Sequence, residues 1–220
     1  MTNQAGTILD GPSFGPMAGG EPTGLVVLCH GVGSDGFDLI DLAPVWGRAV
    51  PHVLFRSPHG PEAYAEAPMG RQWFPLWDRS PAMLAQGVKV ASAALGAFID
   101  AELARLGLPA DAYALMGFSQ GAMMALHTGL THHTSPRAIL AYSGRLLDDE
   151  VLISKPKPRI LLVHGAEDQM LPVESSREAA QKIKAAGGDV QLVICPGLGH
   201  GIDEPGLRAG FHLLKQVFAE

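Results

Sequence analysis

The chain has 220 residues, a length typical of one large domain rather than two small ones. Hydrophobic residues make up 47% of it, which is enough apolar material for a buried core and excludes a disordered chain. The formal net charge of −6 argues against nucleic acid and anionic membranes as partners, because neither would attract such a chain at long range.

The N-terminal part, residues 1–23, is predicted to be an irregular lead-in, since Gly and Pro are frequent there. Met1–Gly11 carries neither the basic region nor the apolar core of a signal peptide, and no uninterrupted apolar run reaches the ~18 residues that span a bilayer. The two cysteines, Cys29 and Cys195, each lie beside an apolar run, which favours two buried, reduced thiols. We therefore expect a soluble, cytoplasmic protein without stable membrane insertion.

Short apolar runs alternate with longer helical stretches along the rest of the chain. The strands are predicted at Leu25–Cys29, Val53–Phe55, Ala112–Met116, Ala138–Tyr142, Ile160–Val163 and Val190–Cys195. The helices are predicted at about Pro81–Leu106, Gln120–Leu130, Val173–Ala186 and Pro205–Ala219. This alternation predicts a single α/β domain over residues 1–220, with a doubly wound, mostly parallel sheet, helices on both faces and no cap domain.

The pentapeptide GFSQG, residues 117–121, directly follows a predicted strand and opens a predicted helix. A G-x-S-x-G sequence in this context is typical of a catalytic serine. The serine must lie on a sharp turn that exposes its hydroxyl, and side chains at positions 117 and 121 would collide with neighbouring backbone. We therefore predict that Ser119 is a nucleophile; the alternative is a Gly-rich turn with an incidental serine.

A serine hydroxyl needs an imidazole to take its proton and a carboxylate to orient that imidazole. In hydrolases built on such a sheet the chain order is serine, acid, histidine. Glu167 and Asp168 follow one predicted strand, and His200 follows the next in a Gly-rich loop. Ser119, Asp168 and His200 therefore stand in the required order, with Glu167 as the rival acid.

The negative charge that develops on a carbonyl oxygen during acyl transfer needs two backbone N–H donors. One is predicted at Gln120, at the start of a helix whose dipole also favours negative charge. The other is predicted at Val32, in the Gly-rich loop after the first strand. A phosphate-binding loop is the competing interpretation, but this loop lacks the G-x-x-x-x-G-K-[ST] spacing and the second half of a dinucleotide fingerprint.

The remaining histidines are weaker candidates for chemistry. His127 lies within a predicted helix, and His132-His133 closes that helix, where these side chains would interact with its dipole. Because adjacent side chains at a chain end point apart, we expect no metal site there. Neither a metal nor an organic cofactor is predicted.

Residues 60–78 form the one sizeable predicted insert, an active-site loop rich in aromatic residues. Trp73 and Phe74, together with Phe118 next to the serine, are predicted to contact the substrate. The alternative is that the aromatic residues only anchor a long loop. A small, partly open apolar site would suit short to medium acyl chains.

These motifs together resemble the phospholipase/carboxylesterase family of α/β-hydrolases, which includes the acyl-protein thioesterases. The matching stretches are LCHGVGSD (28–35), QWF (72–74), GFSQG (117–121), HGAED (164–168) and GH (199–200). The resemblance covers about residues 24–217, and the insert is more similar to the bacterial esterase branch. It implies the α/β-hydrolase fold, the catalytic residues Ser119, Asp168 and His200, and an oxyanion hole at Val32 and Gln120.

The expected function is that of a serine carboxylesterase, an enzyme that hydrolyses short- to medium-chain carboxylic esters through an acyl-enzyme intermediate. An acyl thioesterase or lysophospholipase with the same triad is the nearest alternative, and a non-catalytic binding protein on a hydrolase scaffold is a distant one. The expected partner is a small-molecule ester, with nucleic acid excluded and a homodimer left open.

Overall fold

A seven-stranded sheet forms the frame of the computed structural model, which describes residues 9–147 and 158–219. The strands of this sheet are β1 (Ser13–Phe14), β2 (Gly24–Cys29), β3 (Val53–Arg56), β6 (Tyr113–Phe118), β7 (Ala138–Tyr142), β8 (Arg159–Gly165) and β9 (Asp189–Cys195). Their order is β1-β3-β2-β6-β7-β8-β9, and every neighbouring pair is parallel except β1 and β3. Two further strands, β4 (Glu62–Ala63) and β5 (Arg71–Gln72), pair antiparallel with each other.

Helices cover both faces of the large sheet. They are α1 (Gly36–Ile40), α2 (Ala43–Trp46), α3 (Pro81–Leu106), α4 (Gln120–Thr131), α5 (Glu174–Ala185) and α6 (Glu204–Phe218). Alternate strand residues point to opposite faces, so Leu25 and Val27 pack with α3, α4 and α5, whereas Val26 and Leu28 pack with α1, α2 and α6. The predicted mostly parallel sheet with helices on both faces is confirmed.

The long helix α3 begins and ends where the sequence predicts. Pro81 opens it, and Gly107 ends it with φ 64°, a left-handed conformation in which its N–H reaches the carbonyls of Leu103 and Ala104. By length and composition alone, α3 is apolar enough to cross a membrane. Core helices of α/β proteins pass the same test, and in the described structure one side of α3 is buried in the core below α4.

Five short elements were not expected from the sequence, and two of them, β4 and β5, pair with each other within the 60–78 insert. β1 lies within the predicted irregular lead-in and pairs with β3 through Ser13 and Phe14. The helices α1 and α2 have only 5 and 4 residues, too few for a helical period to be visible. Local chemistry still explains α1, because the Asp35 carboxylate caps it by accepting a 2.8 Å hydrogen bond from the Phe37 N–H.

The direction of chain winding reverses between β2 and β6. From β2 the sheet grows towards β3 and β1, and from β6 it grows the other way, towards β9. The loops that leave the carboxyl ends of these two adjacent strands therefore diverge to opposite faces of the sheet. Such a reversal leaves a crevice in which ligands of open α/β sheets bind.

Gly121 allows the start of α4 to pack against the end of β2. A Cβ atom at this position would clash with the carbonyl oxygen of Cys29, a backbone atom that cannot move aside. We expect Gly121→Ala to lower the free energy of unfolding by about 3 kcal/mol or more, measured by urea denaturation. The matched control is Gly201→Ala, whose Cβ would have its nearest neighbour, in Leu198, at 3.8 Å. Equal effects of the two variants would contradict this account.

Candidate active site

Ser119 lies in the sharp turn between β6 and α4. Its φ of 54° and ψ of −115° form a strained conformation for a residue with a Cβ atom. Its N–H donates to the Tyr142 carbonyl at 2.9 Å, and its own carbonyl accepts from Ala122 N–H at 3.0 Å. The turn is therefore held from the neighbouring strand and from the helix, and the serine side chain is carried at the carboxyl edge of the sheet.

Asp168 and His200 form a direct pair at the same edge. The Nδ1 atom of His200 donates to Asp168 Oδ2 at 2.7 Å. The other carboxylate oxygen accepts from the backbone N–H groups of Met170 and Leu171, both at 2.9 Å. Because the Nδ1–H group donates to the carboxylate, the ring keeps its proton on Nδ1, and Nε2 of neutral His200 carries the lone pair that a general base needs.

The Asp168 carboxyl is buried yet charged. Burial by itself would raise its pKa, but hydrogen bonds from Leu171 N–H, the His200 ring and Met170 N–H together outweigh burial and hold the pKa below its usual value. The rival acid Glu167 is exposed, and its N–H donates to the Leu198 carbonyl at 2.9 Å. The structure therefore places Asp168, and not Glu167, beside His200.

The predicted oxyanion residues lie near the serine turn. A Cβ built on Gly31 would lie 3.5 Å from Ser119 Cβ, so the loop after β2 passes directly beside the nucleophile candidate. Val32 is the next residue of that loop. Within residues 9–147 and 158–219, no acceptor takes the backbone N–H of Val32 or of Gln120. Both donors are therefore available to a substrate oxygen.

The ring of Phe118 lies against His200. The two ring centroids are 4.9 Å apart and the ring planes are inclined by 49°. Because Phe118 directly precedes Ser119, this contact brings the imidazole to the serine turn. Phe118 is thus a packing partner of the imidazole and is itself partly exposed at the site.

His30 fixes the loop after β2, a role that sequence analysis did not assign to it. Its Nδ1 donates to the Gly31 carbonyl at 2.7 Å, and its Nε2 accepts from Gly60 N–H at 2.8 Å. Only a neutral ring can donate at one nitrogen and accept at the other. Burial lowers the pKa of His30 and so favours this neutral form.

The side chain of Gln120 holds the 60–78 insert in place. Its Oε1 accepts from Trp73 N–H at 3.0 Å, and its Nε2 donates to the Phe74 carbonyl at 2.7 Å. The indole N–H of Trp73 also donates to the His30 carbonyl at 2.9 Å. Trp73 and Phe74 are almost fully buried, so both residues anchor the insert.

Trp73 and Phe74 also line a cavity of about 200 Å³ between the insert and α3. The other lining residues include Trp77, Met83, Val90 and Ala91. The two interpretations offered for these aromatic residues are therefore compatible, since the same rings anchor the loop and form the apolar side of a cavity that Glu62, Asp78 and Gln86 also line.

His164 is a second imidazole beside Asp168. Its Nε2 lies 3.2 Å from Asp168 Oδ2 and 2.9 Å from the Leu171 carbonyl oxygen, while its Nδ1 lies 2.6 Å from Ser176 Oγ. Two acceptors face Nε2, so Nε2 carries the proton and the Ser176 hydroxyl donates to Nδ1. The signal in the sequence is the i, i+4 spacing of His164 and Asp168 across a turn that leaves the strand.

Both cysteines are free and buried, as predicted. Burial raises the pKa of the Cys29 thiol, and burial together with a hydrogen bond to Asp203 raises the pKa of Cys195 to about 11. The Cys195 thiol donates to Asp203 Oδ1 at 3.2 Å. Neither cysteine is a nucleophile at neutral pH, because the reactive form of a cysteine is the thiolate.

The side chains of His132 and His133 do not point apart, so the reason for expecting no metal site at this pair was wrong. Their ring centroids are 4.2 Å apart, and both Nε2 atoms face the carboxylate of Asp100 on α3. α4 ends just before His132, and α3 passes beside this end of the helix. Both histidine rings therefore face Asp100 on α3.

The fold and the site define an α/β-hydrolase. The model of the phospholipase/carboxylesterase family matches residues 17–217, and the chain belongs to this family. It is therefore a serine hydrolase that acts on carboxylic esters.

Individual relatives agree with this assignment. Esterase YpfH of Escherichia coli is 30% identical over 200 residues, covering 87% of this chain and 82% of the relative. Acyl-protein thioesterase 1 of Gibberella zeae is 28% identical over 202 residues, covering 83% of this chain and 86% of the relative. Among solved structures, esterase PE8 has a TM-score of 0.89 and 38% identity, covering 95% of this chain and 99% of its own.

Removal of the His164 N–H group should lower the rate of catalysis, because it changes the surroundings of Asp168. The Nε2–H group of His164 lies 3.2 Å from Asp168 Oδ2, and its dipole stabilises the buried carboxylate, so His164→Leu should lower kcat about tenfold with little change in KM. The pKa of Asp168 should rise, because an N–H dipole 3.2 Å from its charged form is lost. Activity should therefore disappear at a higher pH on the acid side of the profile.

His164→Gln, which can still present an N–H near the position of Nε2, is the conservative control and should recover part of kcat. Steady-state kinetics from acid to neutral pH, on variants whose melting temperature is recorded, makes the comparison. A fall in stability with an unchanged pH profile would mean that His164 only fills space.

Proposed function

We propose that this enzyme hydrolyses carboxylic esters with short to medium acyl chains, and that Ser119, His200 and Asp168 form its catalytic triad. The observation that carries the proposal is the Asp168–His200 hydrogen bond of 2.7 Å, which leaves Nε2 as the free imidazole nitrogen. The strained backbone of Ser119 supports it, because such strain is typical of a serine that is presented at the top of a sheet.

In the acylation half of the reaction, His200 Nε2 takes the proton of the Ser119 hydroxyl as Oγ attacks the ester carbonyl carbon. The carbonyl oxygen becomes an oxyanion that accepts hydrogen bonds from the N–H groups of Val32 and Gln120. Collapse of this intermediate breaks the bond to the alcohol, which leaves with the proton from His200. The acyl group remains on Ser119.

Deacylation repeats these steps with water in place of the serine. His200 takes one proton from water, the resulting hydroxide attacks the acyl carbonyl, and the acid leaves while Ser119 regains the proton from His200. The buried, charged Asp168 stabilises the imidazolium in both halves. These steps use only side chains and backbone groups of the chain, together with water.

The cavity beside the insert supports a limit on the length of the acyl chain. Its volume of about 200 Å³ is below the range of roughly 300–1,000 Å³ usual for drug-sized ligands. Trp73 and Phe74 form its apolar side, and Gln120 connects them to the residue next to the nucleophile. We assign this cavity to the acyl chain, which limits the substrate to short and medium lengths.

A thioesterase activity with the same triad is the second candidate. It is favoured by the likeness to acyl-protein thioesterase 1 of Gibberella zeae. Esterase PE8 and esterase YpfH are more similar in sequence, so oxygen esters are the preferred substrates in this proposal. Direct comparison of matched acyl esters and acyl thioesters ranks the two activities.

Removal of the nucleophile tests the mechanism. Ser119→Ala should lower kcat for p-nitrophenyl esters about 10⁶-fold, leaving residual catalysis by the oxyanion donors and binding. The wild type should prefer short and medium acyl lengths and should be labelled by a fluorophosphonate at Ser119. Ser143→Ala, at the end of the neighbouring strand and also with positive φ, is the matched control and should stay active and labelled. Retention of a tenth of the activity by Ser119→Ala would refute the mechanism.

Two substitutions distinguish the carboxylates of the HGAED loop. Asp168→Asn keeps the shape of the side chain but favours the wrong imidazole tautomer, a change worth about 10⁴-fold in kcat in serine proteases. Glu167→Gln alters an exposed group and should change kcat less than about twofold, since it affects at most a surface charge. The assay is initial-rate kinetics on the preferred ester. The reverse ranking would make Glu167 the acid.

A further inference from the structure

We propose a transition-metal site formed by Asp100, His132 and His133, between α3 and the C-terminal end of α4. One carboxylate oxygen and the two Nε2 atoms lie within 4.8 Å of one another. Asp100 Oδ1 is 3.4 Å from His132 Nε2 and 3.6 Å from His133 Nε2. Ligands of a tetrahedral Zn²⁺ with bonds of about 2.0–2.1 Å are about 3.3–3.4 Å apart. The two distances from Asp100 to the imidazole nitrogens therefore suit one shared ion.

Hydrogen bonds on the far side of the His132 ring decide which of its nitrogens carries the proton. Nδ1 lies 3.1 Å from the Thr134 carbonyl oxygen, 3.1 Å from the Tyr113 hydroxyl oxygen and 3.0 Å from the Thr134 hydroxyl oxygen. The Tyr113 hydroxyl gives its own proton to the Thr134 carbonyl at 2.6 Å, so this carbonyl and the Tyr113 oxygen are acceptors towards Nδ1, and the Thr134 hydroxyl can accept as well. These contacts favour the tautomer with the proton on Nδ1, which leaves the lone pair of the neutral ring on Nε2.

The Nε2 atom of His132 is buried and has no hydrogen-bond partner in the described part of the chain. The side chain is only 7% exposed. Its lone pair faces a carboxylate oxygen of Asp100 at 3.4 Å, an arrangement that is repulsive until a proton or a metal ion lies between the two atoms. Gly96 on α3 provides the room, because a Cβ there would lie 3.0 Å from Cδ2 of the ring.

The donor set and its surroundings define the class of ion. Two imidazole nitrogens and one carboxylate oxygen suit Zn²⁺, Co²⁺ or Ni²⁺, whereas Mg²⁺ and Ca²⁺ prefer oxygen ligands. All three residues line a cavity of about 630 Å³ between α3 and α4, so water can complete the coordination. A bound ion would join α3 to the end of α4.

The metal site is separate from the catalytic site. Ser119 precedes α4 and His132 follows it, and the 12 residues of this helix span about 18 Å. An ion at His132 therefore cannot contact the ester. Its expected effect is on the stability of the packing between α3 and α4.

Titration of the tag-free protein with Zn²⁺ at neutral pH, followed by calorimetry, tests the proposal. We expect one Zn²⁺ per chain and a higher melting temperature with Zn²⁺, because an ion that binds only the folded state stabilises it. His133→Ala and Asp100→Asn should each weaken binding at least about tenfold and abolish the rise in melting temperature. His52→Ala, which removes an exposed histidine elsewhere, should change neither.

The side chain of Asp100 is 47% exposed and that of His133 is 67% exposed, so both substitutions should be tolerated by the fold. Unchanged ester hydrolysis will show that both variants are folded. Absence of Zn²⁺ binding by the wild type would overturn the proposal, as would binding that survives in both variants. Binding lost in His200→Ala but kept in His133→Ala would place the ion at the catalytic pair and would also overturn it. A further contradicting result is a melting temperature that is lower in the variants but does not respond to Zn²⁺ in any of the proteins. In that case Asp100 would act only through ion pairs with His132 and His133.

Discussion

The close approach of the serine turn to the end of β2 is the constraint on which the site depends. Side chains at positions 117 and 121 would clash with the Gly121 carbonyl and the Cys29 carbonyl, so the turn closes only with glycine at both. The same approach carries the loop after β2 past Ser119 and leaves the N–H groups of Val32 and Gln120 available. One steric requirement therefore sets the position of the serine and of both backbone donors.

A buried carboxylate organises the other side of the site. Asp168 accepts from two backbone N–H groups of its own loop and from His200, and Nε2 of His164 lies 3.2 Å from its Oδ2. The loops after β8 and β9 are also joined by backbone hydrogen bonds, from Ala166 to Cys195 and from Glu167 to Leu198. Because the carboxylate is fully satisfied, it stays ionised in spite of burial, and the imidazole is held in one tautomer.

Gln120 has two separate tasks. Its backbone N–H is free at the start of α4, while its side chain binds the backbone of Trp73 and Phe74. His30 completes the attachment of the insert by accepting from Gly60 and by offering its carbonyl to the Trp73 indole. The loop that borders the cavity next to α3 is thus fastened to Gln120, which follows the serine, and to His30 in the loop after β2.

The amino-acid sequence alone determined the strands β2, β3, β6, β7, β8 and β9, the helices α3 to α6, and the order of Ser119, Asp168 and His200. These features depend on local periodicity, on Gly and Pro at element ends, and on a motif whose glycines have a steric reason. Only the tertiary structure distinguished Asp168 from Glu167, gave His30 and His164 their roles, and turned His132 and His133 towards Asp100. The physical reason is that adjacent residues such as Glu167 and Asp168 share the same local sequence, so local patterns cannot separate them. Hydrogen bonds between distant segments and the packing of one helix on another decide which side chain is buried and where it points.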